Sequence, residues 1–239
     1  MHSMATRDTL LVSLTAPASF AAEQYQGLRL AVERLARARD VRTIAVSSPA
    51  AGDGKTVTAI NLAGTLARGS DDRVLLVDAD LRRPSVASLL AIPGGGLGLA
   101  DALGSGRGAA DVVRTVDGCL LDVIPAGSPR AGISEILRSP RLDAFLQELR
   151  QRYAYIVLDT PPLLPVFDAA LIAKSVDGVL MVVSANRTPR KLLGEALNLL
   201  DASKVLGIVF NRDAHPLFGY YDAYCRQYFP GVSRIAGQA

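Results

Sequence analysis

The chain has little of what most side-chain catalysis would need. Among its 239 residues there are two cysteines, two histidines and no tryptophan. Cys119 and Cys225 lie far apart at no zinc or redox spacing, so they read as reduced thiols of a cytoplasmic protein. His2 and His215 are too few and too distant for a metal cluster or a Ser/His/Asp arrangement, which excludes histidine chemistry. Apolar runs such as Gly178 to Val183 are strand length, far below the roughly eighteen residues of a membrane helix, and no signal-peptide pattern precedes them. Charge of one sign is not concentrated either. The net charge is +3, and arginine is scattered from Arg29 to Arg234 without like-charge blocks or interleaved aromatics, so the basic balance reads as solvated surface and no nucleic-acid partner is expected.

What is present suits one packed domain. Hydrophobic residues make up 49% and aromatics 5%, the composition of a Val, Ile, Leu and Ala sheet under helices, and no break in composition divides it. Ser19 as N-cap and the spacing of Ala21, Tyr25, Leu28, Val32 and Leu35 predict an amphipathic helix. Short apolar runs predict strands at Thr43 to Ser47, Val74 to Val77, Leu120 to Ile124, Tyr155 to Leu158, Gly178 to Val183 and Val205 to Phe210. Helical stretches at Val57 to Leu66, Pro84 to Leu90, Pro140 to Arg150, Val166 to Lys174 and Pro189 to Leu200 fall between them. Strands without a polar face, alternating with helices, predict an α/β domain with a mostly parallel central sheet covered on both faces.

Two segments stand apart. Residues 91–118 are glycine-rich and weakly periodic and read as a mobile surface segment. Within them, Gly104 to Ala109 imitates a dinucleotide fingerprint but follows no strand, so that match carries no weight. The strand–helix alternation ends near residue 212, which separates a domain over 1–212 from a tail over 213–239 bearing Tyr220, Tyr221, Tyr224 and Tyr228.

Three strand ends carry the chemistry. Ser48-Pro49-Ala50-Ala51-Gly52-Asp53-Gly54-Lys55-Thr56 lies between a predicted strand and helix, the context that makes a phosphate loop (P-loop) credible. Gly52, Asp53, Gly54 and Val57 frame backbone N–H groups, Lys55 suits β- and γ-phosphates, and Thr56 offers a hydroxyl to magnesium. Pro49 stands where the general pattern has glycine, so the loop is a variant. After the strand Val74 to Val77, Asp78 and Asp80 are two residues apart and so share one side of an extended backbone. Tyr155 to Leu158 ends in Asp159, followed by Thr160-Pro161-Pro162, which places a third carboxylate at a stiff turn. Paired carboxylates beside a phosphate loop are what a magnesium nucleotide needs.

Together these segments resemble the bacterial tyrosine kinases that accompany exopolysaccharide and capsule export, a branch of the P-loop proteins related to the partition ATPases. The resemblance spans nearly the whole chain: Glu23-Gln24-Tyr25-Gln26-Gly27-Leu28-Arg29, the phosphate loop, Asp78-Ala79-Asp80-Leu81-Arg82, Pro125-Ala126-Gly127, Ser134-Glu135-Ile136-Leu137, Asp159-Thr160-Pro161-Pro162, Val176-Asp177-Gly178-Val179 and Asn211-Arg212. It implies a tyrosine autokinase with ATP held by Lys55 and Thr56, Mg2+ near Thr56, Asp80 and Asp159, Asp78 as the base toward a tyrosine hydroxyl, and Asn211, followed by Arg212, at the adenine. It further implies acceptors at Tyr220, Tyr221, Tyr224 and Tyr228, phosphorylated between neighbours in a ring joined through Glu23 and Arg29. A membrane-spanning activator of the chain-length-determinant kind would hold such a protein at the inner face of the cell membrane.

Two departures qualify the match. The family's association motif has two arginines after its glutamate, and Gln26 replaces the first while Arg29 keeps the second. The tail is sparse in tyrosine, and Tyr220, Tyr224 and Tyr228 also fit one face of a docked helix. Two other functions stay open from sequence. A partition-type ATPase switch would carry an extra lysine early in the loop, where this chain has Ala50; a nucleotide-binding scaffold without turnover would need only the P-loop.

Overall fold

The computed structural model describes residues 10–69, 73–93, 95–116, 119–128 and 132–213. The tyrosine tail, Cys225, His2 and His215 lie outside the described residues. The chain opens with a short helix α1 (Val12–Thr15) and the long α2 (Phe20–Arg39), whose N-cap Ser19 accepts the Ala22 N–H as its position in the sequence predicts. Then follow β1 (Thr43–Ser47), α3 (Lys55–Arg68), β2 (Val74–Asp78), α4 (Val86–Leu89), α5 (Leu99–Ser105), α6 (Ala109–Val112), β3 (Arg114–Thr115) and β4 (Leu121–Ile124). The second half runs α7 (Ile133–Arg138), α8 (Pro140–Arg150), β5 (Tyr155–Asp159), α9 (Asp168–Ser175), β6 (Gly178–Ser184), α10 (Arg190–Leu197) and β7 (Val205–Asn211).

The sheet order is β3-β4-β2-β5-β1-β6-β7, parallel throughout except for the two-residue β3, which pairs antiparallel with β4. Because side chains alternate, each strand feeds two cores. Ile44 and Val46 of β1 join Leu76, Val123, Val157 and Val182 under α2 and α3, whereas Ala45 joins Leu75, Val77, Ile156 and Leu158 under α5, α8 and α9. Every residue of β1, β2, β4 and β6 is buried, which is why these strands show no polar face in the sequence.

Two elements differ from the sequence expectation. Residues 91–118, read as mobile surface, contain α5 and α6 packed into the core; Leu99, Leu103 and Val112 are at most 1% exposed. Helices of seven and four residues are too short to display a period, and their glycines act as termini, with Gly106 in the left-handed conformation at the end of α5. Gly98, before α5, needs its missing side chain for space: a Cβ there would stand 2.2 Å from the Pro125 carbonyl oxygen and 2.3 Å from the Gly127 nitrogen. The second difference is α1, which no pattern announces. It is tied to α3 by Asn61, whose Oδ1 accepts the Ser13 N–H at 2.9 Å and whose Nδ2 donates to the Leu10 carbonyl at 2.8 Å. Cys119 is half-buried against the core under α2 and α3.

Candidate active site

Strand order decides where the three motifs meet. In β2-β5-β1, β5 lies between the strand that leads to the phosphate loop and the strand that ends in Asp78. The register pairs Asp159 with Val46 on one side and with Asp78 on the other. The Ala79 N–H continues the ladder to the Asp159 carbonyl at 2.8 Å, carrying the extended backbone toward Asp80. Asp78, Asp80 and Asp159 are thus buried at adjacent strand ends, at 0%, 3% and 0% exposure.

Lys55 opens α3 and points into this acidic group, with Nζ 2.9 Å from Asp80 Oδ2 and 3.3 Å from Asp159 Oδ1. Burial alone would lower the lysine, but the charges of Asp159 and Asp80 outweigh it and hold the ammonium above its ordinary value. The carboxyls respond the other way. Burial, reinforced by the charge of Asp159, pushes Asp78 up to about 7, although the Val86 N–H opposes it. Burial lifts Asp159 to about 6 against the pull of Lys55 and the Thr56 hydroxyl.

Asp78 also serves as a cap. Its Oδ2 accepts the Ser85 and Val86 N–H groups at 3.1 and 3.0 Å, so α4 begins at Val86 and is shorter than the Pro84 to Leu90 pattern suggests. Its Oδ1 is buried without a hydrogen-bond partner, as is Asp159 Oδ2. Asp80 Oδ1 accepts the Arg83 N–H at 3.0 Å.

The phosphate loop takes its shape from left-handed backbone at Gly52 (φ 92°) and Gly54 (φ 96°). Thr160, 0% exposed, donates to the Val46 carbonyl at 3.0 Å, and the Leu163 N–H donates to the Ser48 carbonyl at 2.9 Å, so the Asp159-Thr160-Pro161-Pro162 turn is stitched to the loop's first strand. A cleft of about 540 Å³ opens above the cluster, walled by Gly52, Gly54, Lys55, Thr56 and Val57 on one side and Pro161, Pro162, Pro165 and Val166 on another. Arg82 and Arg212 reach its edge. Arg82 is held there by Asp168, its Nε 2.5 Å from Oδ2, with Ser134 bonded to the other carboxylate oxygen at 3.0 Å.

The remaining expected residues are placed as follows. Asn211 does not line the cleft; its Nδ2 donates to the Asp53 carbonyl at 2.9 Å and its Oδ1 accepts the Arg212 N–H. Glu23 and Arg29 lie on α2, outside the acidic cluster. Arg29 folds onto its own chain, with Nε 3.6 Å from Glu33 and its guanidinium filling the space beside Gly69. Sequence inspection gave no role to Thr188 or Asp168, which meet Asp53 and Arg82 only through the tertiary fold, and it read Ser134 only as part of a resembling segment. Ser85 lies beside a recognised motif, but its hydroxyl contact with Thr56, at 3.3 Å, depends on the turn after β2.

A larger cavity of about 660 Å³ opens at the opposite end of the sheet, among Arg37, Arg42, Arg73, Arg150 and Tyr155. It holds no phosphate-loop residue and none of Asp78, Asp80 and Asp159. Three of its cations are matched by neighbouring carboxylates, Arg73 by Asp122, Arg150 by Asp177 and Arg42 by Asp40, so it is not the better candidate despite its size.

The residues present suit a magnesium nucleotide. Among the described residues no set of three carboxylate, histidine or cysteine ligands forms a complete cage. Magnesium in nucleotide sites takes one or two carboxylates with phosphate oxygens and water, and the Thr56 hydroxyl, Asp80 and Asp159, with its unpartnered oxygen, supply that kind of donor.

A parallel α/β sheet with a lysine-bearing loop and acidic strand ends beside it defines a P-loop nucleotide-binding domain. Residues 41–201 match the family described as an AAA domain. The tyrosine-protein kinase YwqD of Bacillus subtilis is 31% identical over 88% of this chain and 90% of its own length. The succinoglycan biosynthesis transport protein ExoP of Rhizobium meliloti is 32% identical over 92% of this chain, which spans 29% of that longer protein. Among solved structures, the chimerical protein CapA2B2 superposes with a TM-score of 0.80 at 28% identity, covering 86% of this chain and 90% of that one. The chain belongs to the bacterial tyrosine-protein kinases.

Proposed function

We propose that the protein is an ATP-dependent tyrosine autokinase that regulates polymerisation and export of an exopolysaccharide or capsule. The observation that carries this reading is the convergence of Lys55, Asp78, Asp80 and Asp159 at the ends of β1, β2 and β5. Lys55 turns from the carboxylates to the β- and γ-phosphates when nucleotide enters, and the backbone N–H groups of the loop donate to the phosphate oxygens. Thr56, Asp80 and Asp159 would hold Mg2+, which would supply charge neutralisation for the γ-phosphoryl group. Asp78 Oδ1 takes the proton of the tyrosine hydroxyl, the phenolic oxygen bonds to the γ-phosphorus, and the bond from that phosphorus to the bridging oxygen breaks to release ADP. A carboxyl raised to about 7 is matched to this task near neutral pH.

The acceptors in this reading are Tyr220, Tyr221, Tyr224 and Tyr228 of a neighbouring subunit, presented in a ring. No helix among the described residues is long and apolar enough to cross a membrane, and a membrane-spanning activator supplies attachment to the inner face of the cell membrane. Incubation with Mg-ATP followed by phosphotyrosine mapping tests the assignment. The wild type should be labelled at Tyr220 to Tyr228 and the Asp78→Ala variant should not. An unlabelled wild-type tail removes autophosphorylation, and equal labelling of both chains removes Asp78 as the base.

A further inference from the structure

Asp53 places a carboxylate inside a loop built to receive an anion. Of residues 51–57 it alone does not line the cleft, and it is 6% exposed. Thr188, in the turn between β6 and α10, donates its hydroxyl to Asp53 Oδ1 at 2.7 Å and accepts the Ser184 N–H at 3.0 Å. Both capacities of that hydroxyl are therefore used, and its proton points at the carboxylate. The other carboxylate oxygen accepts the Ala50 N–H, at 3.4 Å. From the next strand, Asn211 donates to the Asp53 carbonyl at 2.9 Å and packs so closely on the loop that a Cβ on Gly54 would stand 2.0 Å from its Nδ2. The far side of the loop is thus fastened to the ends of β6 and β7.

We propose that Thr188 is a positioning residue for nucleotide binding: it anchors the Asp53 carboxylate away from the phosphates and, with Asn211, holds the loop in its binding conformation. This rests on the nucleotide site and not on kinase turnover. Releasing the anchor has two effects of the same sign. An unfastened carboxylate can swing toward the phosphates and repel them. A loop that spends less time in the competent shape also shows proportionally weaker apparent affinity.

Equilibrium binding of fluorescent ATP, ADP and AMP analogues, with Mg2+ for the first two, tests the proposal on the full chain. Thr188→Val, which keeps the shape and removes the hydroxyl, should weaken ATP binding by roughly tenfold, the equivalent of one lost hydrogen bond to a charged group. The loss should be smaller for ADP and smallest for AMP, because the repelled charge diminishes. Thr188→Ser should restore wild-type affinity, and adding Asp53→Asn to Thr188→Val should regain most of it. The kinase assay should show a raised KM for ATP with kcat little changed.

The proposal is overturned if Thr188→Val binds all three nucleotides as wild type does, if Thr188→Ser is as weak as the valine variant, or if the loss is equal for ATP and AMP. A fall in thermal stability without change in affinity would assign Thr188 to packing and overturn it as well. A wild type that binds nucleotide but transfers no phosphate would defeat the kinase assignment alone.

Discussion

Asp78→Asn separates what the buried carboxyl does for stability from what it does for chemistry. In the folded chain this carboxyl is raised from 3.8 to about 7 by burial and by the charge of Asp159, with Asp80 adding and Lys55 opposing. Below about pH 4 both folded and unfolded chains hold the proton and the group has no pH-dependent effect. Between pH 4 and 7 the unfolded chain releases its proton while the folded chain keeps it, so stability falls as pH rises through that window and levels off above it. A displacement of that size corresponds to about 4 kcal/mol when the pH passes both values. Asparagine retains an oxygen for the Ser85 and Val86 N–H groups and has no proton to lose. Asp122 and Asp177, both held below their ordinary range despite burial, the first by Arg73 and Tyr153 and the second by Thr43 and Arg150, push the pH profile in the opposite direction. Their contribution cancels in the difference between the two chains. Thermal melts without nucleotide, in chelator, should therefore show the variant's advantage growing from pH 4.5 to 8 by roughly 6–12 °C, since about 3 kcal/mol of the effect falls in that range, at roughly 2–4 °C per kcal/mol for a chain of this size. Parallel Tm profiles would refute the assigned burial and charge balance around Asp78, while phosphate transfer by the variant should be abolished.

Lys55→Met removes the cation between two buried carboxylates, so nucleotide binding should disappear and the chain should lose about 3–5 kcal/mol at pH 8, with a smaller loss at pH 5 where Asp159 is largely protonated; fluorescent ADP titration and melts at the two pH values check both parts. Tyr153→Phe deletes the hydroxyl that donates to Asp122 Oδ2 at 2.8 Å. Because Arg73 and Thr115 still serve that carboxylate, the cost should be about 1 kcal/mol in urea unfolding, with no change in nucleotide affinity. Gly98→Ala forces a methyl into backbone atoms that cannot rotate away, so it should destabilise by about 2 kcal/mol or more. A melt unchanged from wild type would contradict the close packing of α5 on the Pro125 to Gly127 segment.

The sequence by itself determined six of the seven strands, because each is a short, largely apolar run, whereas the two-residue β3, Arg114-Thr115, carries no such signal; it also determined the three chemical motifs, because each is a contiguous string at a strand end. Ser19, Lys55, Asp78 and Asp159 could be assigned from neighbours within a few residues. It misjudged residues 91–118 because α5 and α6 are too brief to repeat, and their burial comes from contact with distant elements rather than from period. Only the tertiary structure decided that β5 inserts between β1 and β2, which sets Asp159 beside both Lys55 and Asp78 and raises the two buried carboxyls. The same holds for Thr188 and Asp53, 135 residues apart. A hydroxyl at the head of one helix and a carboxylate in a distant loop leave no joint pattern in the chain, and only the parallel packing of strand ends makes them partners.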